Sequence, residues 1–136
     1  MANNMYDVAR RAFAKGEMDW ESDGFAAVLV DAAGYVINPA SHSNLSDIPV
    51  AARVGVSVAL ANTVVDPNGA MDADDIVFPN VDGPSAEALV IYRVGASEAE
   101  SMLVLYIDTA TGLPITPNQG NIIVRWSSGA DKIMRF

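Results

Sequence analysis

Apolar residues in this chain fall into short runs, cut by turn chemistry roughly every eight to twelve positions. Two runs, Ala88 to Val94 and Met102 to Asp108, are apolar at consecutive positions over most of their length. That pattern predicts strands with both faces covered, in the middle of the structure. The polar, acidic stretch 95–101 between them has the length of a hairpin loop. A third run, Asn121-Ile122-Ile123-Val124-Arg125-Trp126, follows the turn-rich 109–114 and reads as a further strand of the same central region.

Upstream, Val54, Val56, Val58 and Leu60 alternate with Gly55, Ser57 and Ala59. A period of two predicts a half-buried strand, extending to about residue 65. Residues 25–31, 35–38 and 76–78 read as shorter strands, and 132–136 as a last one, with Ile133 and Phe136 as its apolar contacts. Asp66-Pro67-Asn68-Gly69, Val81-Asp82-Gly83-Pro84 and Ser127-Ser128-Gly129 are turns. The polar segment 41–49 is a loop in which Ser43 or Asn44 can open a single helical turn near Leu45 and Ile48.

Only the N-terminus carries the helical period. Met5, Val8, Ala9, Ala12 and Phe13 share one face of a helix over residues 4–15, capped by Asn3 or Asn4 and ended by Gly16. Three turns are marginal alone, so this face must lie on the chain's own sandwich or on a neighbouring subunit. An acidic connector follows, in which Trp20 reads as a plug closing one end of the core. The expected architecture is an all-β, jelly-roll-like sandwich of about eight short strands with a short N-terminal helix. It forms a single domain over residues 1–136, helix and connector in 1–20 and sandwich in 24–136.

Composition narrows the function classes. The chain has 8 Lys and Arg against 17 Asp and Glu, a net charge of −9, which disfavours direct binding to nucleic acid and suits solubility, the simpler reading, or docking on a basic surface. The absence of cysteine excludes disulfides and thiolate metal sites. No apolar run approaches the roughly 20 residues of a membrane helix, and the N-terminus lacks the order of a secretory signal, so synthesis in the cytoplasm is expected.

Candidate chemistry is sparse. His42 is the sole histidine; with Ser41 or Ser43 it would need a positioned acid and an oxyanion hole, and a turn or surface role is the simpler reading. Asp66, Asn68, Asp72, Asp74 and Asp75 invite a calcium reading. In an EF-hand loop the sixth position is Gly and the twelfth Glu; here Gly69 is fourth and Val77 twelfth, so a solvated acidic loop is expected. No catalytic residue, metal ligand or cofactor is assigned. The residues expected to meet a partner are Met5, Arg10, Arg11, Phe13 and Trp20.

Several strings together resemble a family of small structural proteins encoded by tailed bacteriophages. They are Tyr6-Asp7-Val8-Ala9-Arg10, Asp19-Trp20, Leu29-Val30-Asp31, Leu45-Ser46-Asp47-Ile48-Pro49, Asp72-Ala73-Asp74-Asp75-Ile76-Val77-Phe78-Pro79, Glu87-Ala88-Leu89-Val90-Ile91-Tyr92 and Tyr106-Ile107-Asp108-Thr109-Ala110-Thr111-Gly112-Leu113-Pro114. Within that group the chain is most similar to the cement, or head decoration, proteins on the outer surface of the capsid. The resemblance implies a non-enzymatic protein, made in the host cytoplasm and bound to the major capsid protein and to itself. It brings no set of functional residues. The alternative is a tail- or fibre-associated module binding a receptor or carbohydrate, with Trp20, Tyr35, Tyr92 or Trp126 stacking on sugar.

Overall fold

The computed structural model describes residues 3–108, 113–126 and 132–135. In chain order the elements are strand β1 (Asn4–Met5), helix α1 (Asp7–Ala14), then strands β2 (Phe25–Val30), β3 (Arg53–Ala59), β4 (Val64–Val65), β5 (Ala70–Asp72) and β6 (Ile76–Phe78). They continue with β7 (Ala88–Arg93), β8 (Met102–Ile107), β9 (Ile122–Val124) and β10 (Met134–Arg135). Single 3-10 turns lie at Leu45–Asp47, Val50–Ala52 and Glu98–Glu100. The fold is all-β with one short helix.

The two consecutive apolar runs are β7 and β8, joined as an antiparallel hairpin inside a five-stranded sheet of order β1-β8-β7-β2-β3. Their continuous hydrophobicity follows from burial on both faces. Phe25, Ala27, Leu29, Leu89, Ile91, Leu105 and Ile107 face one core cluster; Ala26, Val28, Val30, Ala88, Val90, Tyr92 and Tyr106 face a second. Each fully buried Val, Leu or Ile contributes about 1.5–3 kcal/mol of transfer free energy, so this sheet is the main apolar reservoir of the fold.

A bulge in β8 makes this two-sided arrangement possible. Ile91 pairs with Leu105 and Tyr92 with Leu103, leaving Val104 as an extra residue. Val104 and Leu105 therefore both enter the first cluster, while Leu103 enters the second. Strict alternation would send Leu103 and Leu105 to the same face. The Val104 carbonyl accepts the Tyr6 N–H (2.9 Å), at the point where β1 gives way to α1.

The first cluster is roofed by smaller sheets, β10-β5-β4 and the β6–β9 ribbon, together with α1 and Trp20. The second is covered by residues 35–52, which supply Tyr35, Ile37, Leu45, Ile48 and Ala52.

Four expectations change. The helix begins at Asp7, because Asn4 and Met5 pair with Tyr106 and Leu105; these cross-strand bonds displace a first helical turn. Its N-cap is Tyr6, without a side-chain cap, while Asn3 and Asn4 accept bonds from the Asp108 N–H and from Arg10. Residues 35–38 form no strand: Tyr35 and Ile37 pack into the second cluster, and the Asn38 N–H goes to His42 rather than to a ladder.

The strand expected over 54–65 ends at Ala59. Between the pairs Ala27–Val58 and Leu29–Val54, β3 advances four residues against two on β2. Gly55 takes φ +74° there, and Val56, expected on the buried row, turns out to solvent at 73% exposure. Finally, β9 does not lie beside β8; it pairs with β6 in a separate ribbon at the surface.

The Leu45–Asp47 turn and the Asp66–Gly69 turn form as the residues predict, the first with a capping box between Asn44 and Asp47. Ile133 packs against the first cluster. The turn-rich 109–112, the Ser127-Ser128-Gly129 turn and the Phe136 contact lie outside the described residues.

Candidate functional site

Helix α1 lies on the chain's own sheet. Met5, Ala9 and Ala12 are buried against the first cluster, and Val8 packs on the second. The opposite face presents Arg10 and Arg11. Arg10 is braced locally, donating to Asp7 Oδ1 (3.0 Å) and Asn4 Oδ1 (2.8 Å), and Lys15 faces Glu17 at 3.6 Å. Exposed pairs of this kind contribute little to stability.

The acidic connector after α1 is bonded to itself. Asp19 accepts from the Glu21 N–H and the Ser22 hydroxyl, and Asp23 accepts from the Asp19 N–H. This holds Trp20 inward, where it is 2% exposed, donates Nε1–H to the Asp72 carbonyl (2.9 Å) and packs on Phe25 at 4.6 Å between centroids. It is the plug that its sequence context predicts. Beside it a shallow depression of about 320 Å³ is lined by Phe13, Met18, Trp20, Val65 and Met71. Of the five residues expected to meet a partner, Met5 and Trp20 thus lie in the chain's own core, Phe13 is half-buried, and Arg10 and Arg11 are exposed.

His42 belongs to a hydrogen-bonded chain that sequence reading missed. The Tyr6 hydroxyl contacts the Tyr35 hydroxyl (2.8 Å), which contacts His42 Nδ1 (3.0 Å); the Asn38 N–H donates to the same nitrogen (3.1 Å). Because Nδ1 accepts from that amide it carries no proton, so Tyr35 donates to His42 and Tyr6 donates to Tyr35. Burial pushes the Tyr6 hydroxyl far above its ordinary value, with the Tyr35 bond adding to it, and burial likewise raises Tyr35 and Tyr106. These phenols stay protonated, and those of Tyr6 and Tyr35 serve as donors.

Asp47, the one acid close to His42 in sequence, is occupied elsewhere: it accepts the Ser43 and Asn44 amides at 2.8 and 3.0 Å. Those two amides hold its carboxyl below the usual range. The histidine is a structural joint between the N-terminal segment and the 35–52 wall.

Arg53 forms the second brace that sequence reading missed. It donates to the Leu45 and Ile48 carbonyls and to both carboxylate oxygens of Glu98 (2.8 and 2.9 Å). The Arg53 bonds hold Glu98 below its ordinary value. No signal in a single sequence marks this pairing across 45 positions.

The acidic stretch around residues 66–75 is distributed over a turn, the end of β5 and the connection leading into β6. Asp74 accepts from Asn62, and Asp75 accepts the Trp126 N–H. Among the described residues no three His, Cys, Asp or Glu side chains gather into a group that could hold a metal ion. Of the aromatics considered for sugar stacking, Trp20, Tyr35 and Tyr92 are buried, and Trp126 is half-buried with its indole N–H bonded to the Asp74 carbonyl. No described helix is long and apolar enough to cross a membrane.

The outer surface instead shows branched aliphatics. Val36, Val50, Val56, Val94 and Ile123 are 50% exposed or more, and Val64, Val65 and Val77 only slightly less. Polar side chains thus brace loops while these branched aliphatic ones meet solvent. No protein-family model and no curated protein sequence matches the chain.

Proposed function

We propose that the chain is a virion structural protein of a tailed phage, a cement or decoration protein that sits on the outer capsid surface, binds the major capsid protein and stabilises the shell. The reading starts from the residue strings that resemble this family, and the jelly-roll-like form expected of such proteins goes with it. The observation that carries it is the division of labour among side chains. The described carboxylates and guanidinium groups are largely engaged in holding loops, as in Arg53–Glu98 and the Asn44–Asp47 box, whereas β-branched residues stand at the surface. An acidic surface of net charge −9 is repelled by packaged nucleic acid and attracted to basic protein surfaces. Many modest contacts of this kind, repeated over a shell, add up to resistance against internal pressure.

Particle imaging with and without the protein tests this. Copies on the head, and loss of DNA or of shell integrity on heating or chelation when the protein is missing, are the expected results. Unchanged particles, or protein confined to the tail fraction, would overturn the reading. The carbohydrate-binding alternative rests on Trp126, since the other three aromatics are buried.

A further inference from the structure

Exposed strand edges expose unpaired amides and carbonyls, and proteins blunt them by shortness, bulges, charged or prolyl residues, or a covering element. Most edges here are treated in one of these ways. The β3 edge carries the irregularity around Gly55. At β4 the Val65 N–H is taken by the Glu21 carboxylate at 2.9 Å. β1 and β10 are two residues each.

Strand β9 is short too, but at three residues it is longer than β1, β4 and β10. It is bonded to β6 alone among the described strands, and residues 121–126 are each at least partly exposed, in strict alternation. Its core, Ile122-Ile123-Val124, is entirely β-branched, with no Pro, Lys or bulge in it.

We propose that β9 is a subunit-pairing edge and that its occupant is β9 of a second copy of this chain, antiparallel about a two-fold axis through Ile123. The register makes the strand complementary to itself. Such an axis sets Ile123 opposite Ile123, Ile122 opposite Val124, and Asn121 opposite Arg125, so no like charges face each other. Val77 pairs with Ile123 within the ribbon, and both are exposed, at 42% and 50%. Joining two ribbons as β6-β9-β9-β6 therefore lines up Val77, Ile123, Ile123 and Val77 as one apolar row across four strands. Continuing the β6–β9 register by one residue places Asp75 beside Arg125, which neutralises the ends of that row.

Because each copy carries a net charge of −9, screening of their mutual repulsion should strengthen the pairing as salt is raised, opposite to docking on a basic partner. The pairing belongs to the strand itself and does not draw on the virion reading, which would survive its failure.

Analytical ultracentrifugation of the purified chain should show a reversible dimer that tightens with added salt. Ile123→Lys, which sets two cations face to face, should give a monomer with an unchanged thermal midpoint. Since the chain has no cysteine, Ile123→Cys offers a direct probe: residues directly opposite on antiparallel strands lie within disulfide reach. Mild oxidation should cross-link that variant as a dimer, and should leave Val94→Cys, at an equally exposed site elsewhere, monomeric. A chain that stays monomeric at millimolar concentration and high salt would overturn the proposal. So would a dimer that persists in Ile123→Lys, or an Ile123→Cys variant that does not cross-link.

Discussion

The Tyr6 hydroxyl meets the Tyr35 hydroxyl at 2.8 Å across 29 positions of sequence, with Tyr6 fully buried and Tyr35 nearly so. This bond joins the segment before α1 to the wall covering the second face of the sheet. Tyr35→Phe removes the acceptor of the Tyr6 hydroxyl and should cost about 1–3 kcal/mol, the penalty of an unsatisfied buried polar group. The double variant Tyr6→Phe/Tyr35→Phe should cost less than the sum of the two single changes. Urea denaturation of all four proteins gives the coupling.

At Arg53 and Glu98 the two partners should behave unequally. The Arg53 side chain is 13% exposed and also holds two backbone carbonyls, whereas Glu98 is 53% exposed. Arg53→Ala should lower stability by about 2–3 kcal/mol, while Glu98→Gln should change it far less, because solvent screens an exposed carboxylate. Equal losses in thermal denaturation would contradict this assignment of the brace.

Acid should unfasten the Asn44–Asp47 turn. Asp47 is held below its unfolded value of 3.8, chiefly by the Asn44 and Ser43 amides. A depressed carboxylate contributes stability that is complete above the unfolded value and lost as pH falls through the lower folded one. Stability should therefore decline below about pH 4, and more gently in Asp47→Asn. That variant should also lose about 1 kcal/mol at neutral pH with the cap. Thermal midpoints measured across this range decide it.

Two glycines should respond differently to Ala. At Gly95 a Cβ would lie 2.2 Å from the Glu100 carbonyl oxygen, a backbone atom that cannot step aside cheaply, so Gly95→Ala should cost about 3 kcal/mol by overpacking. At Gly55 a Cβ meets only Val81 methyls at 3.5 Å, and the cost of about 1–2 kcal/mol comes from φ +74°. Denaturant midpoints should rank them in that order.

Local pattern alone determined the helix near residues 7–14, the paired strands β7 and β8, their burial on both faces, the Asp66–Gly69 turn and the inward Trp20. Each of these is written in short-range chemistry: a period, a consecutive apolar run, a turn residue or a large aromatic. What depended on tertiary structure was how those pieces meet. Asn4 and Met5 carry a helical period yet pair with Tyr106 and Leu105, because a neighbouring strand offers their amides better partners than a frayed first turn. Val56 keeps the apolar alternation yet faces solvent, because the β2 register forces extra residues into β3. His42 and Arg53 looked unremarkable until Tyr35, itself bonded to Tyr6, met the first and Glu98, 45 positions away, met the second. β9, which its apolar run placed with the central strands, pairs with β6 alone among the described strands. Hydrophobicity records how much of a residue is to be covered; only the assembled sheets decide what covers it.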